Sequence, residues 1–383
     1  MRILIAHCFY RQPGGEDRYV EQQMDVLGPH HTVELLARRN EDLGGNLDTA
    51  RRMLGISKET RAVEDAIARF NPDVIHLHNS YPSLGPAVHF AAQRRHIPLV
   101  MTVHNFRLRC PNGYMFTEGT LCYRCEGGLY HNALLHPCFP SKGQAATYAA
   151  ALWLHRFVLR IQEKVTLFLT PSRYVSERLL SWGFEPQRVR VVRNFTDISP
   201  HAGAPGKHGM YVGRLSSEKG LDVMLRALAR AGDPPFRIVG DGSVRPALES
   251  LTRELGLANT TFAGRVAPER VSALLEDARY AAIPSLWDEN APIAALEAMA
   301  VGRPLLVSEK GGLPELTENG EGLLVRAGDI EDTAAKIRIL MEDDVSWNQM
   351  SKQALARAQA EFTPDAHAVQ LARAYDHALA LGR

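Results

Sequence analysis

The chain has 383 residues, 45% of them hydrophobic and 23% charged, which is typical of a soluble globular enzyme and leaves room for two domains of ~150–200 residues. Forty-four lysines and arginines balance 43 aspartates and glutamates, so no bulk charge indicates nucleic-acid binding. The apolar start MRILIAHCF ends too early for a signal peptide, and no stretch approaches the ~20 apolar residues of a membrane span. We therefore expect a cytoplasmic protein without a nucleic-acid partner.

Short apolar runs alternate with helical patterns in the first half of the chain. Helical patterns cover residues 16–27 and 59–70. One apolar run per strand, with a helix between successive strands, is typical of a parallel sheet that is covered on both faces. This half therefore predicts a doubly wound α/β domain. Its predicted strands are residues 2–6, 32–37, 73–78, 98–104, 167–172 and 188–194.

A polar stretch with glycine and proline, residues 196–209, is the best linker candidate, and the alternation restarts after it. We predict an N-terminal domain at residues 1–195, a C-terminal domain at 207–363 and a final helix within 364–383. Ligands of such sheets bind beyond the carboxyl ends of the strands, so a cleft between the two domains is the expected site. The second domain's predicted strands are 209–214, 236–242, 260–266, 280–285, 304–309 and 321–326, and its predicted helices are 219–231, 244–256, 268–277 and 291–301.

The first motif is the loop 9–15 and the helix that follows it. Gly14 and Gly15 would let the backbone come close to a ligand, although the loop lacks the G-x-G-x-x-G dinucleotide fingerprint. In the same domain His104 ends an apolar strand, where it could donate a hydrogen bond to a sugar hydroxyl or a phosphate. Taken alone, the glycines are explained equally well by an ordinary turn. A lone histidine such as His104 is more often a polar residue whose hydrogen bonds are made within the protein.

Four of the five cysteines cluster in an insertion at about residues 108–140. Without an export signal, such a cluster indicates metal or thiol chemistry more than disulfides. The four thiolates could hold a structural Zn²⁺, and His131 or His136 could replace one of them. Buried thiols or a redox pair are the alternatives. The four are Cys110, Cys122, Cys125 and Cys138.

The stretch ALWLHRFVLRIQEKV, residues 151–165, predicts a packed helix that precedes a strand. Its aromatic residues Trp153 and Phe157, together with its arginines, leave a second interpretation open. An amphipathic helix of this kind can lie on a membrane surface with the aromatic rings as anchors. We favour the packed helix and keep peripheral membrane contact as the alternative.

Two cations follow the first strand of the second half. Arg214 and Lys219 come after Gly213, in a short loop that leads into a helix. Cations at this position can neutralise a pyrophosphate whose charge grows as it departs. A solvated pair is the alternative, but cations at a helix N-terminus oppose the helix dipole, which favours a functional role.

The segment WDENAPIAALEAMA, residues 287–300, sets Glu289 and Glu297 on either side of Pro292. Proline is favoured in the first turn of a helix, so we predict that Pro292 lies there and that one of the two preceding residues is the cap. The carboxylates would be roughly 10 Å apart at ~1.5 Å per residue, too far for a glycosidase pair, which needs roughly 5–9.5 Å. They suit the two ends of a nucleotide sugar whose pyrophosphate rests on the helix N-terminus. A plain Ala- and Glu-rich helix is the alternative.

The order and spacing of these motifs resemble the retaining glycosyltransferases of family 4, which have the GT-B fold. The resemblance runs over nearly the whole chain and is most specific between residues 209 and 325. It implies two Rossmann-like domains that face each other across a cleft, with a C-terminal helix that crosses back to the N-terminal domain. The motifs are GG-E, a strand-terminal HN, VVRN, G-R-L-x-x-E-K-G, G-D-G, F-x-G-x-V, P-S, Glu-x7-Glu and EAMAVGRPLLVSEKGGLPEL.

The resemblance also implies an activity. The enzyme would move a hexose-type sugar from a UDP- or GDP-sugar to a hydroxyl of a saccharide, lipid-linked or small-molecule acceptor. It would do so with retention and without a catalytic metal, by front-face substitution in which a departing phosphate oxygen takes the acceptor's proton. Bacterial polysaccharide, glycolipid or natural-product glycoside synthesis is the expected setting, in the cytoplasm or at the inner face of the membrane. A non-catalytic nucleotide-sugar-binding scaffold and a nucleotide-sugar epimerase of GT-B-like shape remain as alternatives.

Residue roles carry over where the motifs match. Arg214 and Lys219 would bind the donor pyrophosphate and stabilise the leaving nucleotide. Glu297 would bind the ribose hydroxyls, Glu289 the transferred sugar, and His104 the region of its 6-hydroxyl. Where this chain has Asn-Ala-Pro after Glu289 the family often has Phe-Gly, which leaves the sugar preference open. The other implied donor-binding residues are Gly14, Gly15, Gly213, Gly240, Gly242, Arg265, Val266, Asn290, Ala291, Pro292 and Ile293, and the cysteine-bearing insertion would shape acceptor recognition.

Overall fold

The computed structural model describes residues 1–11, 14–42, 44–55 and 59–382, so residues 12 and 13 of the predicted first loop lie outside the described part. The chain divides into two compact units. The change from the first unit to the second falls between Arg193 and Asn194, just before the predicted linker. Unit 1 comprises Met1–Glu118, Cys122–Arg193 and Ala368–Arg383, and unit 2 comprises Gly119–Leu121 and Asn194–His367.

Six parallel strands form the sheet of unit 1, and each contains part of one predicted apolar run. In sheet order they are β2-β1-β3-β4-β7-β8. The chain therefore places β2 on one side of β1 and then adds the remaining strands, in order, on the other side of β1. The strands are β1 (Arg2–Phe9), β2 (Thr32–Arg39), β3 (Val74–Asn79), β4 (Leu99–Thr102), β7 (Leu167–Thr170) and β8 (Val189–Val191), and two short strands, β5 (Phe116–Thr117) and β6 (Thr120–Leu121), lie in the cysteine-bearing insertion.

Helices connect these strands, and the two helices predicted near the N-terminus are present. The helix predicted over residues 151–165 is wrong. The α-helix there ends at Trp153, a π-helical turn covers Leu154–Val158, and a 3₁₀ turn covers Ile161–Lys164 after Arg160 adopts a positive φ of 48°. The helices are α1 (Gly15–Leu27), α2 (Asn46–Met53), α3 (Glu59–Phe70), α4 (Ala87–Arg94), α5 (Asn132–Leu135), α6 (Lys142–Trp153) and α7 (Arg173–Ser181).

Unit 2 repeats this plan with a six-stranded parallel sheet, and the strands again coincide with the predicted apolar runs. The strands are β9 (His208–Val212), β10 (Phe236–Val239), β11 (Thr260–Gly264), β12 (Ala278–Ile283), β13 (Leu305–Ser308) and β14 (Gly322–Val325), in the sheet order β11-β10-β9-β12-β13-β14. The helices are α8 (Leu221–Arg230), α9 (Arg245–Glu254), α10 (Val271–Glu276), α11 (Ile293–Ala300), α12 (Ile330–Glu342), α13 (Asp344–Glu361) and α14 (Pro364–Leu381), of which α14 belongs to unit 1 from Ala368 onward.

Both faces of the second sheet are buried. Met210 and Tyr211 are neighbours on β9, yet they belong to two different hydrophobic clusters, and Val239 and Ile238 on β10 divide in the same way. Successive side chains of a strand point to opposite faces, so the two clusters are the cores above and below the sheet. This explains why the strands have near-continuous apolar runs rather than alternating patterns.

Among the described residues, no helix is both long enough and apolar enough to cross a membrane.

Candidate active site

The order of the strands in unit 2 determines where its predicted site residues meet. After β9 the chain builds β10 and β11 on one side, and then it returns to place β12 on the other side. The carboxyl ends of β9 and β12 therefore form a topological switch point, where open α/β sheets bind ligands. Gly213–Lys219 follow β9 and Pro284–Glu289 follow β12. Two predicted motifs that are distant in sequence thus belong to one edge of the sheet.

Lys219 and Glu289 form the centre of this edge. The Lys219 Nζ donates to Glu289 Oε1 at 2.6 Å, and Ser285 Oγ donates to the same oxygen at 2.6 Å. The two charged side chains are only 16% and 6% exposed. The ring of Trp287 lies 5.1 Å from Nζ, within the range of a cation–π contact. Ser285 and Trp287 lie within the P-S motif and the segment 287–300, but the sequence assigned neither of them a role.

Arg214 lies in the same loop after β9 as Lys219, with its guanidinium half-exposed. Its Nη2 donates to Glu218 Oε1 at 2.7 Å, and Ser216 Oγ donates to the same oxygen at 2.6 Å. Burial alone would raise the pKa of Glu218, but the hydrogen bonds and the Arg214 charge outweigh it, so this pKa lies below its usual value. The Glu218 carbonyl also accepts from Leu286 N at 2.8 Å, which ties the two loops together. Glu218 was not predicted, although it is the E of the E-K-G motif.

Glycines allow the ends of three neighbouring strands to come very close. Gly213 N donates to Val239 O at 3.0 Å, and Gly240 N donates to Gly264 O at 2.8 Å. Gly240 has a φ of +133°, and a Cβ there would lie 1.8 Å from the Gly213 carbonyl oxygen. A Cβ on Gly242 would lie 2.1 Å from the Leu215 carbonyl oxygen. The close approach of the backbones therefore requires glycine at residues 240 and 242, whatever they contact besides. The predicted Arg265 and Val266 follow β11, with Arg265 exposed and Val266 half-buried.

The predicted position of Pro292 is wrong by one residue. Helix α11 begins at Ile293, and Pro292 is its N-cap with an extended ψ of 128°. An extended conformation is the usual one for an N-cap residue, where the preceding loop joins the helix. That loop is held by Asn194, whose Nδ2 donates to the Ala291 carbonyl at 2.8 Å. Asn194 belongs to the VVRN motif, but the sequence did not connect it to this loop.

The second glutamate of the Glu-x7-Glu motif, Glu297, lies within α11 and is buried. A carboxylate is costly to bury unless polar groups compensate it, so this position is not that of an ordinary helix-surface glutamate. The four residues that directly follow Glu289 are half-buried. They are Asn290, Ala291, Pro292 and Ile293.

In unit 1, His104 belongs to a group of histidines at the carboxyl ends of β1, β3 and β4. His104 Nε2 and His78 Nδ1 are hydrogen-bonded at 2.9 Å, and the ring of His76 stacks on that of His78. Burial lowers the pKa of His104 to about 3, and the charge of His7 adds to the effect. His104 is therefore neutral at pH 7 and can donate from one ring nitrogen and accept at the other.

A buried pair fixes the start of α1 near Gly14. His7 Nε2 lies 2.8 Å from Asp17 Oδ1, and Gly14 N donates to Asp17 Oδ2 at 3.2 Å. Tyr10 N also donates to Asp17 Oδ1, at 3.3 Å. The sequence missed this pair, although a histidine near a strand end and an acidic residue in the following helical turn are a signal for it. Gly14 is exposed, and a Cβ there would contact nothing within 4 Å, so packing gives no reason for glycine at this position.

The cysteines of the insertion line one small cavity together with Asn132 and His136, whereas the exposed His131 is not part of its lining. All of them are free thiols. Within the described ranges, no group of three or more His, Cys, Asp or Glu residues is arranged to hold a metal ion. Zinc therefore stays a prediction. The four lining cysteines are Cys110, Cys122, Cys125 and Cys138.

The segment after α6 leaves its aromatic residues in solvent. Trp153 is 51% exposed and Phe157 is 46% exposed, with their ring centroids 6.2 Å apart. Val158 beside them is also exposed. A fully packed helix would have buried these side chains, so the alternative of a surface contact stays open.

Two family models match the chain. Residues 9–194 match the "Glycosyl transferase 4-like domain" and residues 206–357 match "Glycosyl transferases group 1". The D-inositol 3-phosphate glycosyltransferase of Corynebacterium aurimucosum is 33% identical over 183 residues, 45% of this chain and 43% of that protein. A glycogen synthase of Mycobacterium tuberculosis is 26% identical over 321 residues, 80% of this chain and 69% of that protein. The chain thus spans less than half the length of the inositol-phosphate relative.

Solved structures resemble the chain over nearly all of its length. A sucrose-phosphate synthase from Thermosynechococcus elongatus has a TM-score of 0.73 at 19% identity and covers 98% of both chains. The Anabaena protein HepE, in complex with UDP and glucose, has a TM-score of 0.69 at 20% identity, with 97% of this chain and 98% of that chain covered. At these identities the likeness concerns the fold alone. The chain belongs to the group 1, family 4 glycosyltransferases and has their two-domain α/β GT-B fold.

Proposed function

We propose that this protein is a retaining glycosyltransferase that moves a hexose-type sugar from a nucleotide-diphosphate sugar to a hydroxyl acceptor without a catalytic metal. The observation that carries the proposal is the cluster of Arg214, Lys219 and Glu289 at the switch point of unit 2. A UDP-sugar is the first donor to test, because the similar HepE was solved with UDP and with UDP-glucose.

The charges at the switch point fit a pyrophosphate. The guanidinium of Arg214 is half-exposed, and its planar fork of N–H groups matches the geometry of phosphate oxygens. The Lys219 ammonium has three donors, so it can keep its bond to Glu289 while it binds a phosphate oxygen. In this role both cations stabilise the negative charge that develops on the leaving nucleotide.

Glu289 acts as a hydrogen-bond acceptor in this mechanism and not as a nucleophile. Its Oε1 already accepts from Lys219 and Ser285, and stabilising that carboxylate lowers its tendency to attack. Its role is to orient Lys219 and to accept from hydroxyls of the transferred sugar. Retention then follows from front-face substitution, in which the acceptor attacks on the side that the nucleotide leaves and a departing phosphate oxygen takes its proton.

The rest of the donor extends along the same unit. Glu297 in α11 accepts from the ribose hydroxyls, and the N-terminus of α11 supports the phosphates or the sugar. The base lies against the glycine-rich strand ends at Gly240 and Gly242 and against Arg265 and Val266. His104 in unit 1 supplies a neutral imidazole for the 6-hydroxyl of the sugar.

The proposed setting is the bacterial synthesis of a polysaccharide, glycolipid or natural-product glycoside in the cytoplasm, with a saccharide, lipid-linked or small-molecule acceptor. Two other functions make different predictions. A non-catalytic scaffold would bind a nucleotide sugar without turnover, and an epimerase would convert the donor to its epimer and release no nucleotide. The charged cluster of Arg214, Lys219 and Glu289 favours a reaction that separates a charged leaving group.

The experiment is to incubate the purified protein with UDP-, GDP- and dTDP-sugars and to measure slow donor hydrolysis as nucleotide release. Release of one nucleotide, together with the anomer of the first-formed sugar or glycoside by NMR, tests transfer and retention. The same assay in EDTA tests metal independence. Binding without turnover of any donor would support the scaffold, and sugar epimerisation without nucleotide release would support the epimerase.

A further inference from the structure

Unit 1 contains a cavity at the carboxyl ends of β3 and β4, and His104 is the one residue of its lining to which the donor roles above assign a function. It measures about 570 Å³ with its open mouth included. The walls come from the ends of the two strands, from the loop after β4, and from the segment that contains His155. Residues that line it include His78, Tyr81, His104, Asn105, Arg107 and His155.

Arg107 is the cation of this cavity, and aromatic rings hold it in place. Its guanidinium carbon lies 5.4 Å from the ring centroids of both Tyr81 and Tyr148. Tyr10 and Tyr114 are near enough to interact with its charge. The Tyr81 hydroxyl is itself fixed by a 2.5 Å hydrogen bond to His155 Nδ1. Cation–π contacts of this kind orient a guanidinium without neutralising it.

The charge of Arg107 is not balanced by a carboxylate in the described part of the chain. It forms no ion pair there, and its Nε is shielded from solvent without a hydrogen-bond partner. The carboxyl group of Glu16 is near, but its Oε2 accepts from Tyr10 at 3.0 Å. Burial raises the pKa of Glu16 to about 7, so this group is only partly ionised at neutral pH. A partly buried cation whose nearby carboxyl group is only partly ionised is costly unless an anion binds to it.

Arg109, two residues further along the same loop, is an arginine whose side chain is held by hydrogen bonds within the protein. Its Nη1 donates to the Leu108 carbonyl and to Gln162 Oε1, and its Nη2 donates to the Trp182 carbonyl. It also packs over the ring of Trp182 at 5.4 Å. Both arginines contact aromatic rings, but among the described residues hydrogen-bond acceptors are present only for the side chain of Arg109. The comparison indicates that Arg107 is positioned for a ligand.

We propose that Arg107 binds a phosphate or carboxylate group of the acceptor, while the hydroxyl-bearing part of the acceptor occupies the cavity near His104. The inference rests on the proposed glycosyltransferase function and names the class of acceptor. A guanidinium can donate two parallel hydrogen bonds to such an oxyanion, which would fix the orientation of the acceptor. A soluble sugar phosphate and a phosphate-linked lipid carrier present the same group to this site.

The first test is equilibrium binding by calorimetry, which needs no donor and no turnover. Matched pairs are titrated: glucose 6-phosphate against glucose, inositol 1-phosphate against inositol, and glucuronate against glucose. A prenyl-pyrophosphate-linked sugar in detergent separates a lipid source from a soluble one. We expect the anionic member of at least one pair to bind about 10- to 100-fold more tightly, as for a charge-assisted hydrogen bond. Equal binding within every pair, with the lipid-linked sugar unbound as well, overturns the proposal.

Variants then assign the effect to Arg107. Arg107→Gln should remove the preference for the anionic ligand, and Arg107→Lys should keep part of it, because lysine retains the charge but not the fork. The matched control Arg109→Lys should leave the preference unchanged. Thermal unfolding checks each variant, and Arg107→Lys serves if Arg107→Gln does not fold. An unchanged preference in a folded Arg107 variant also overturns the proposal.

Donor hydrolysis separates this inference from the proposed function. Hydrolysis without acceptor is measured on the wild-type protein, so its outcome does not depend on Arg107. Normal hydrolysis with no preference for anionic acceptors refutes the acceptor class and leaves the transferase standing. Anion binding at Arg107 without turnover of any donor refutes the transferase and retains the anion site.

Discussion

Lys219 and Glu289 are 70 positions apart in the sequence, yet Lys219 Nζ donates to Glu289 Oε1 at 2.6 Å. Each belongs to a loop that leaves one of two neighbouring strands, β9 and β12. The pair is mostly shielded from water, where charge interactions are stronger than at an exposed surface. Glu289 thereby fixes the position of the ammonium group that we assign to the leaving phosphate. This relationship connects the fold to the proposed chemistry and makes the roles of the two residues separable by experiment.

Lys219→Ala should lower kcat for donor turnover by about 10²- to 10³-fold, the loss seen when a preorganised transition-state donor is removed. The effect should fall on kcat because the charge that Lys219 stabilises grows only in the transition state. Steady-state kinetics with the best donor measures it. The control is Lys336→Ala, which breaks an ion pair with Asp332 on α12 in the same unit.

Removing Lys219 alone leaves the buried carboxylate of Glu289 without its cation, which can destabilise a protein by about 3–5 kcal/mol. The double variant Lys219→Met/Glu289→Gln removes both charges and separates catalysis from folding. We expect the double variant to melt closer to the wild type than Lys219→Ala does, and still to be slow. A folded Lys219 variant with wild-type kcat would contradict the assigned role.

Glu297→Gln should affect binding more than turnover. The ribose hydroxyls do not change during the reaction, so a hydrogen bond to them contributes equally to the ground state and the transition state. We expect the donor KM to rise about 10-fold with kcat nearly unchanged, the range for one hydrogen bond to a charged group. Glu342→Gln at the end of α12 is the control. A fall in kcat at constant KM would instead place Glu297 at the reacting centre.

The positions of the sheet strands could be predicted from the sequence because these strands are buried on both faces. A central strand such as β9 appears as an uninterrupted apolar run, and the residue after it, Gly213, then falls at the ligand-binding edge. Arg214 and the segment that contains Glu289 were predicted in the same way, from their positions after β9 and β12. Once the strand order is known, these positions follow without any knowledge of side-chain contacts.

What the sequence missed depends on contacts between distant segments. Asn194 and Ala291 are hydrogen-bonded, but neither residue carries a local sequence signal for this contact. The tyrosines around Arg107 come from separate segments, so no spacing rule could assemble them. The predicted helix over 151–165 failed because its apolar pattern continues through a π-helical turn that periodicity alone does not distinguish.

The exposed aromatic residues after α6 predict a weak membrane contact. Trp153 and Phe157 lie side by side in solvent in unit 1, and arginines flank them. Aromatic side chains with nearby cations favour the interface of an anionic bilayer. We expect co-sedimentation with anionic liposomes, and we expect Trp153→Ser/Phe157→Ser to lower the bound fraction several-fold.

Val345→Ser in unit 2, where the valine is 81% exposed, controls for a general loss of apolar surface. Absence of the wild type from the pellet at physiological salt would exclude the contact.

The cysteine cluster predicts bound zinc, about one ion per chain by metal analysis of the purified protein. Burial raises the pKa of Cys125 to about 12, with Cys110 and Cys122 adding to the rise, so the thiolate needs a compensating cation. Because the described residues contain no ready ligand set, zinc binding requires the sulfur atoms to turn toward one point in their shared cavity.

We expect Cys125→Ser to lose the metal. Cys8→Ser, which removes a buried thiol outside the cluster, should retain it. Well under one zinc per chain in the wild type would leave these cysteines as buried thiols or a redox pair.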